Sequence, residues 1–225
     1  MSQRPLVLSL LLTLSLVPLG AQAPAGTEEL KLKLPKPMFI GTPTNIRSPN
    51  LEKVTGKSRP PFYVPQGTVL LSAKKKVTSS DNAPVIGELD MITDGEKSGG
   101  DGFFVELGPA TQWVQVDLGA SRPLYAILVW HYHSQARVYR DVVAQVSDDP
   151  AFKTGVTTVF NNDSDNSAGL GVGTDREYFE MQFGRVVPCN GIKARYVRGY
   201  TRGSNQSAFN CWQEIEVYAL PVPAK

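Results

Sequence analysis

Two histidines, an arginine and a tyrosine crowd into one short stretch, His131-Tyr132-His133 followed by Arg137 and Tyr139. Imidazole and guanidinium groups can hydrogen-bond adjacent hydroxyls, and an aromatic face can stack on the C–H patch of a pyranose. The spacing His131-x-His133 also puts both imidazoles on one side of a strand, where they could ligate a transition metal. Packing of His131 beneath a neighbouring loop is the plainer alternative. A second polar run, Asn161-Asn162-Asp163-Ser164-Asp165-Asn166, reads as a plain turn, with a second calcium loop or further ligand contacts as the alternatives. It lacks the closing Glu and fixed spacing of an EF-hand. Asn205, Phe209 and Trp212 could extend such a surface. Catalysis finds little to use: there is no Gly-x-Ser-x-Gly elbow and no phosphate-cradling loop. The chain's 2 histidines sit side by side, which leaves little from which to build a triad.

Strands must position these groups. Trp113–Leu118 alternates, with Val114, Val116 and Leu118 on one face. Leu124–Tyr132 is apolar on both faces, as a central strand of a covered sheet should be. Asp141–Ser147, Val156–Phe160, Tyr178–Phe183, Ala194–Tyr200 and Gln213–Ala219 complete the set, separated by Gly, Asn, Asp and Pro. Short strands at near-regular spacing argue a sandwich or jelly roll. If successive strands reverse direction, the loops Gly95–Gln112, His131–Tyr139, Asn161–Asp175 and Thr201–Cys211 share one end. Gly119–Pro123, Asp148–Gly155 and Gly184–Gly191 share the other. The first set is longer and richer in polar chemistry, which is where binding sits on a rigid scaffold. The same reasoning puts Cys189 and Cys211 at opposite ends of a strand spanning roughly 23 Å. A disulfide needs Cα atoms within about 7 Å, so two buried thiols are expected.

A chain of 225 residues with 41% hydrophobic content can bury a real core. Its net charge of +2, from 23 basic and 21 acidic residues, offers no electrostatic reason to expect nucleic acid. Residues 1–23 read as a cleaved secretory leader: Arg4, an apolar run Leu6–Val17, then Ala21-Gln22-Ala23. The run is too short to span a bilayer. Secretion or a periplasmic, extracytoplasmic location follows as an expectation. Residues 24–67 are Pro-rich and cannot be helical for long. Leu30-Lys31-Leu32-Lys33-Leu34 alternates like a guarded edge strand. Met38, Phe39, Ile40, Phe62, Tyr63 and Val64 are too apolar for a free tether, so an arm lying on the domain is expected. The sandwich would run over 68–220, with 221–225 as a tail.

The ordered motifs Val77-Thr78-Ser79-Ser80, Ile92-Thr93-Asp94-Gly95, Gln112-Trp113-Val114-Gln115-Val116-Asp117-Leu118-Gly119, Ser147-Asp148-Asp149-Pro150, Ala194-Arg195-Tyr196-Val197-Arg198 and Glu214-Ile215-Glu216-Val217-Tyr218 resemble the discoidin family, also called coagulation-factor 5/8 type C or galactose-binding-like domains. The resemblance implies an all-β, discoidin-like jelly-roll β-sandwich that binds through loops at one end and catalyses nothing. It implies a structural calcium held by Asp94 and Glu214 with backbone carbonyls near Met91 and Glu96, a donor set suited to a hard cation. Ser98, Gly99 and Gly100 stand where many members place a further Thr ligand. The expectation is an exported carbohydrate-binding module for glycan or cell-surface attachment. Its ligand residues would come from His131, His133, Arg137, Tyr139, Asn161, Asn162 and Asn205. The rivals are a protein-partner or assembly module and, less favoured, anionic-membrane binding, for which the loop after Ser80 offers few apolar spikes.

Overall fold

The computed structural model describes residues 23–39, 46, 48–54 and 59–221. The leader-like stretch before Ala23, Ile40 and Pro43 of the arm, and most of the C-terminal tail lie outside them. The described chain is almost entirely strand: β1 (Thr27–Glu29), β2 (Tyr63–Pro65), β3 (Val69–Leu70), β4 (Val77–Ser79), β5 (Val105–Leu107), β6 (Gln112–His131), β7 (Arg137–Val138), β8 (Val143–Ser147), β9 (Thr157–Asn161), β10 (Phe179–Glu180), β11 (Arg185–Thr201) and β12 (Asn210–Ala219). One 3-10 helix, Leu89–Thr93, precedes the Asp94-Gly95 turn. The all-β sandwich expected from the alternation is what forms.

The frame is a two-stranded ribbon. β6 and β11 pair antiparallel, with Thr201 opposite Gln112 at one end and Arg185 opposite Val129 at the other. Register breaks between Pro188 and Ile192 and between Ala194 and Tyr196 bend it midway. Gly119 (φ +87°) and Gly191 (φ +83°) fall in this bend, where the left-handed conformation favours glycine. β12 and β3 extend the His131 half of the ribbon, and β4, β8 and β9 extend the Gln112 half. The halves face one another: a Cβ added to Gly199 would lie 2.7 Å from the indole of Trp212, which pairs with His131. Between them sit Val114, Val116, Ile127, Val129, Ile215 and Val217, all essentially sealed from solvent.

This corrects part of the strand reading. Gly119–Pro123 and Gly184–Gly191 are not reversals between separate strands; they lie largely inside β6 and β11. The two ends of the ribbon nonetheless meet, because the bend folds it back on itself. Thr201 Oγ1 bonds Asn210 Oδ1 at 2.8 Å, and Asn210 Nδ2 donates to the carbonyls of Gly108 and Ala110. Tyr178–Phe183 shortens to the two residues of β10, which pair with β7.

β6 is apolar on both faces for a reason. Its pairing with β12 shifts register between Leu124 and Ala126, so the inward parity changes. Ile127 and Val129 then face the sandwich core, while Ala126, Leu128 and Trp130 face outward with Tyr218. Leu30, Leu32 and Phe62 of the N-terminal arm cover that outer face. The strand in the arm is β1, paired with β2, rather than Leu30–Leu34. Leu30 and Leu32 turn onto the sheet, and Leu34 is exposed. Further along, the arm straps the long-loop end. Leu51 bridges Glu177, and Asn50 Nδ2 donates to the carbonyls of Asn162 and Asp175 at 3.2 and 3.1 Å.

Cys189 and Cys211 are buried and unpaired. Burial pushes each thiol up to about 12, which keeps them protonated and inert at neutral pH.

Candidate functional site

The segments Asp94–Gln112, Tyr132–Val142, Asn161–Asp175 and Arg202–Asn210 converge at the end where the ribbon's termini meet. Direct bonds tie them together, His133 to Lys97, Asn162 to Val142 and Arg140 to Gly203, while Gly95 is held to Glu214 of β12.

Most of the expected ligand residues are inside this pole rather than on it. His131 is fully buried, with Nδ1 2.8 Å from Glu180 Oε2 and its ring stacked 4.4 Å from Tyr139. Trp212 closes its other side at 4.5 Å. His133 is also fully buried; its Nε2 lies 3.0 Å from the Lys97 carbonyl, and the ring fills the space that a Cβ on Gly99 would take. Tyr139 donates its hydroxyl to the Tyr132 carbonyl at 3.2 Å. Asn162 Oδ1 accepts the Val142 N–H at 2.7 Å. Asn161 Nδ2 donates to the Gly171 carbonyl, and Asn161 Oδ1 accepts the Asp163 N–H. These five side chains hold loops in shape and cannot meet a surface ligand as they stand. The physical reason is that loop backbone needs internal partners once it is packed, and short polar side chains supply them.

Two of the expected residues stay partly accessible. Arg137 packs over Tyr132 at 4.6 Å and donates to Cys211 Sγ at 3.6 Å. Asn205 clamps β7, its Oδ1 accepting the Val138 N–H at 2.8 Å while its own N–H returns to the Val138 carbonyl at 3.0 Å. The polar run after Asn161 forms a turn: Asp163 accepts the N–H groups of Ser167 and Ala168.

An accessible concavity opens at this pole among residues that the motifs did not single out. It has a volume of about 570 Å³ and is lined by Ala110, Arg140, Arg202, Ser204, Gln206, Ser207 and Ala208. Arg140 and Arg202 are exposed. Their backbones are cross-pinned: the Arg140 N–H donates to the Gly203 carbonyl, and the Arg202 N–H to the Arg140 carbonyl, both at 3.0 Å. Ser204 Oγ accepts the Gln206 and Ser207 N–H groups, and Gln206 Nε2 reaches the Ala136 carbonyl at 2.9 Å, so the loop is stapled on both sides. Alternation was the available signal. Tyr139 and Thr201 point inward, so the arginine that follows each must point out.

At the side of the pole, β12 carries two buried carboxylates, Glu214 and Glu216. Glu216 is paired with the buried ammonium of Lys97 and accepts the Tyr218 hydroxyl at 2.9 Å. Glu214 accepts the Gly95 N–H at 3.0 Å. Burial raises its pKa to about 9, with the charge on Glu216 adding to the rise. Two buried carboxylates against one ammonium leave an excess negative charge that a proton or a cation must meet. A hard cation therefore fits this donor set. Asp94, exposed at the end of the 3-10 helix, accepts the Glu96 N–H at 2.7 Å, and Glu96 in turn accepts the Ser98 N–H. Met91 lies within the helix itself.

No family model matches the sequence, and no curated protein matches it. Solved structures do. A family 89 glycoside hydrolase of Clostridium perfringens, in complex with GlcNAc-alpha-1,4-galactose, superposes with a TM-score of 0.50 at 18% identity. The match takes in 68% of this chain and 15% of the enzyme. The likeness is one of fold. A chitosan-binding module from a chitosanase/glucanase of Paenibacillus sp. IK-5 gives a TM-score of 0.48 at 20% identity, over 67% of this chain and 99% of the module. A CBM32 of AlyQ in complex with 4,5-unsaturated mannuronic acid gives 0.45 at 20% identity, over 63% of this chain and 92% of the module.

Proposed function

We propose that this chain is an exported, non-catalytic carbohydrate-binding module that uses the pole where the ribbon's ends meet. The observation that carries the reading is the rigid, polar pocket between Arg140, Arg202 and the stapled Arg202–Asn210 loop. Hydroxyl, amide and guanidinium groups on a pre-ordered loop are what a saccharide's hydroxyls need, and pre-ordering lowers the entropy lost on binding. A part of a glycoside hydrolase that was solved with GlcNAc-alpha-1,4-galactose has this fold, so the fold occurs within a protein that handles saccharides. Binding rather than catalysis is proposed because the polar groups lining the pocket are hydroxyl, amide and guanidinium groups, with no carboxylate pair among them. Export is proposed from the leader-like residues 1–23, and no helix among the described residues is long and apolar enough to cross a membrane.

Calcium is proposed as a structural partner, held by the Glu214 and Asp94 carboxylates with carbonyls of Met91 and Glu96. Its chemistry there would be to neutralise the excess carboxylate and fix the turn after the 3-10 helix. Leu30, Leu32 and Phe62 of the arm cover the outer face of the domain's sheet, so the reading takes the loops rather than that face as the binding surface.

The test is a glycan-array screen of the full mature chain, repeated with Gln206→Ala and Ser207→Ala, and with Lys193→Ala at the bend as a control. Retention that weakens in the two pole variants and holds in the control supports the reading. Silence across the array sinks it.

A further inference from the structure

The pocket carries a charge arrangement that neutral sugars leave unused. Arg140 and Arg202 lie on cross-pinned backbone segments and line one concavity. Both side chains are exposed, so the concavity carries two positive charges at its rim. Arg202 has a carboxylate only at the edge of ion-pair range, Asp141 Oδ2 at 4.0 Å. That carboxylate already accepts the Ser167 hydroxyl at 2.7 Å. Arg140 makes no ion pair among the described residues. Arg195 holds Asp117 with two bonds of 2.8 Å and Arg185 holds Glu52 at 2.9 Å, whereas Arg122 and Arg176 make no ion pair among the described residues but do not line the pocket.

We propose, resting on the carbohydrate-binding reading above, that the pocket selects saccharides bearing a carboxylate. A planar guanidinium matches a carboxylate with two parallel N–H···O bonds, and two guanidinium groups line this one concavity. Ser207 and Gln206 then serve the ring hydroxyls beside it. Asp141, Asp163 and Asp165 bring carboxylate oxygens within 4.8 Å of one another beside Arg202. They share its charge, so Arg140 is the stronger anchor.

Trigalacturonate and its neutral counterpart, galactotriose, are titrated calorimetrically into the full mature chain, its R140A and R202A variants, and R122A at the bend. A mixed neutral and uronate glycan array is run alongside. The expected result is binding of the uronate with a loss of about tenfold or more in R140A, a smaller loss in R202A and none in R122A. Rising salt weakens the uronate complex. Melting curves of the variants should superpose on the parent, since both arginine side chains are exposed. Equal affinity for both trimers, or array retention on neutral glycans alone, overturns acid selectivity and leaves carbohydrate binding standing. Retention on no glycan at all removes both.

Discussion

Glu214 shows how one buried group couples stability to its surroundings. Its pKa rises from an ordinary 4.5 to about 9, chiefly through burial. The folded state therefore holds a proton that the unfolded state releases. That contribution is complete below about 4.5 and is lost as pH climbs through 9, at most about 1.4 kcal/mol per pH unit. Melting temperature should fall across this window, and Glu214→Gln should flatten the slope. Calcium competes with the proton, so its stabilising effect should grow with pH and vanish in E214Q; an unchanged melt at pH 8 with calcium against chelator would mean that no such ion is held. Gly184 is constrained differently. Its φ is +60°, and a Cβ there would lie 2.4 Å from the Trp130 ring. Gly184→Ala should cost about 2–4 kcal/mol in urea unfolding. Arg198 lies 4.1 Å from the Trp113 ring and 4.0 Å from that of Phe152, with Nε 2.8 Å from Gln115 Oε1. Arg198→Ala should lose about 2–4 kcal/mol, and lysine should recover only part, because an ammonium cannot reproduce the stacked, planar fork.

Among the elements, the arm and the ribbon have separate duties. The arm's Leu30, Leu32 and Phe62 shield Leu128, Trp130 and Tyr218, so removing everything before Gly67 uncovers an apolar sheet face. Stability should drop by about 3 kcal/mol or more, with tryptophan emission moving to longer wavelength. An unchanged spectrum would mean that the arm does not seal Trp130. The sequence carried much of this. Alternation in Trp113–Leu118 and doubled apolarity in Leu124–Tyr132 announced a half-covered and a fully covered strand, and both formed. The join between them was not legible, since Gly119 and Pro123 signal a turn equally well when the chain bends without reversing. The candidate site was harder still. A histidine at a strand end carries the same letter whether it faces solvent or, like His131, stacks between Tyr139 and Trp212. Only the partner strands decide that, and they come from distant sequence.

For the molecule as a whole, the ribbon matters most. β6 and β11 are separated by more than fifty positions in sequence, yet their pairing runs from Gln112–Thr201 to Val129–Arg185 and serves both faces of the sandwich. Closing so distant a pair is entropically costly, so folding should be slow for a chain of this size, with the pairing late in the reaction. Once it closes, the domain has no seam. Hydrogen exchange in the two halves should report a single opening free energy, and limited proteolysis should not release either face as a surviving fragment. If the pole binds a polysaccharide as proposed, a pull applied there would load the domain as a unit, because no boundary between separable halves lies along the paired ribbon.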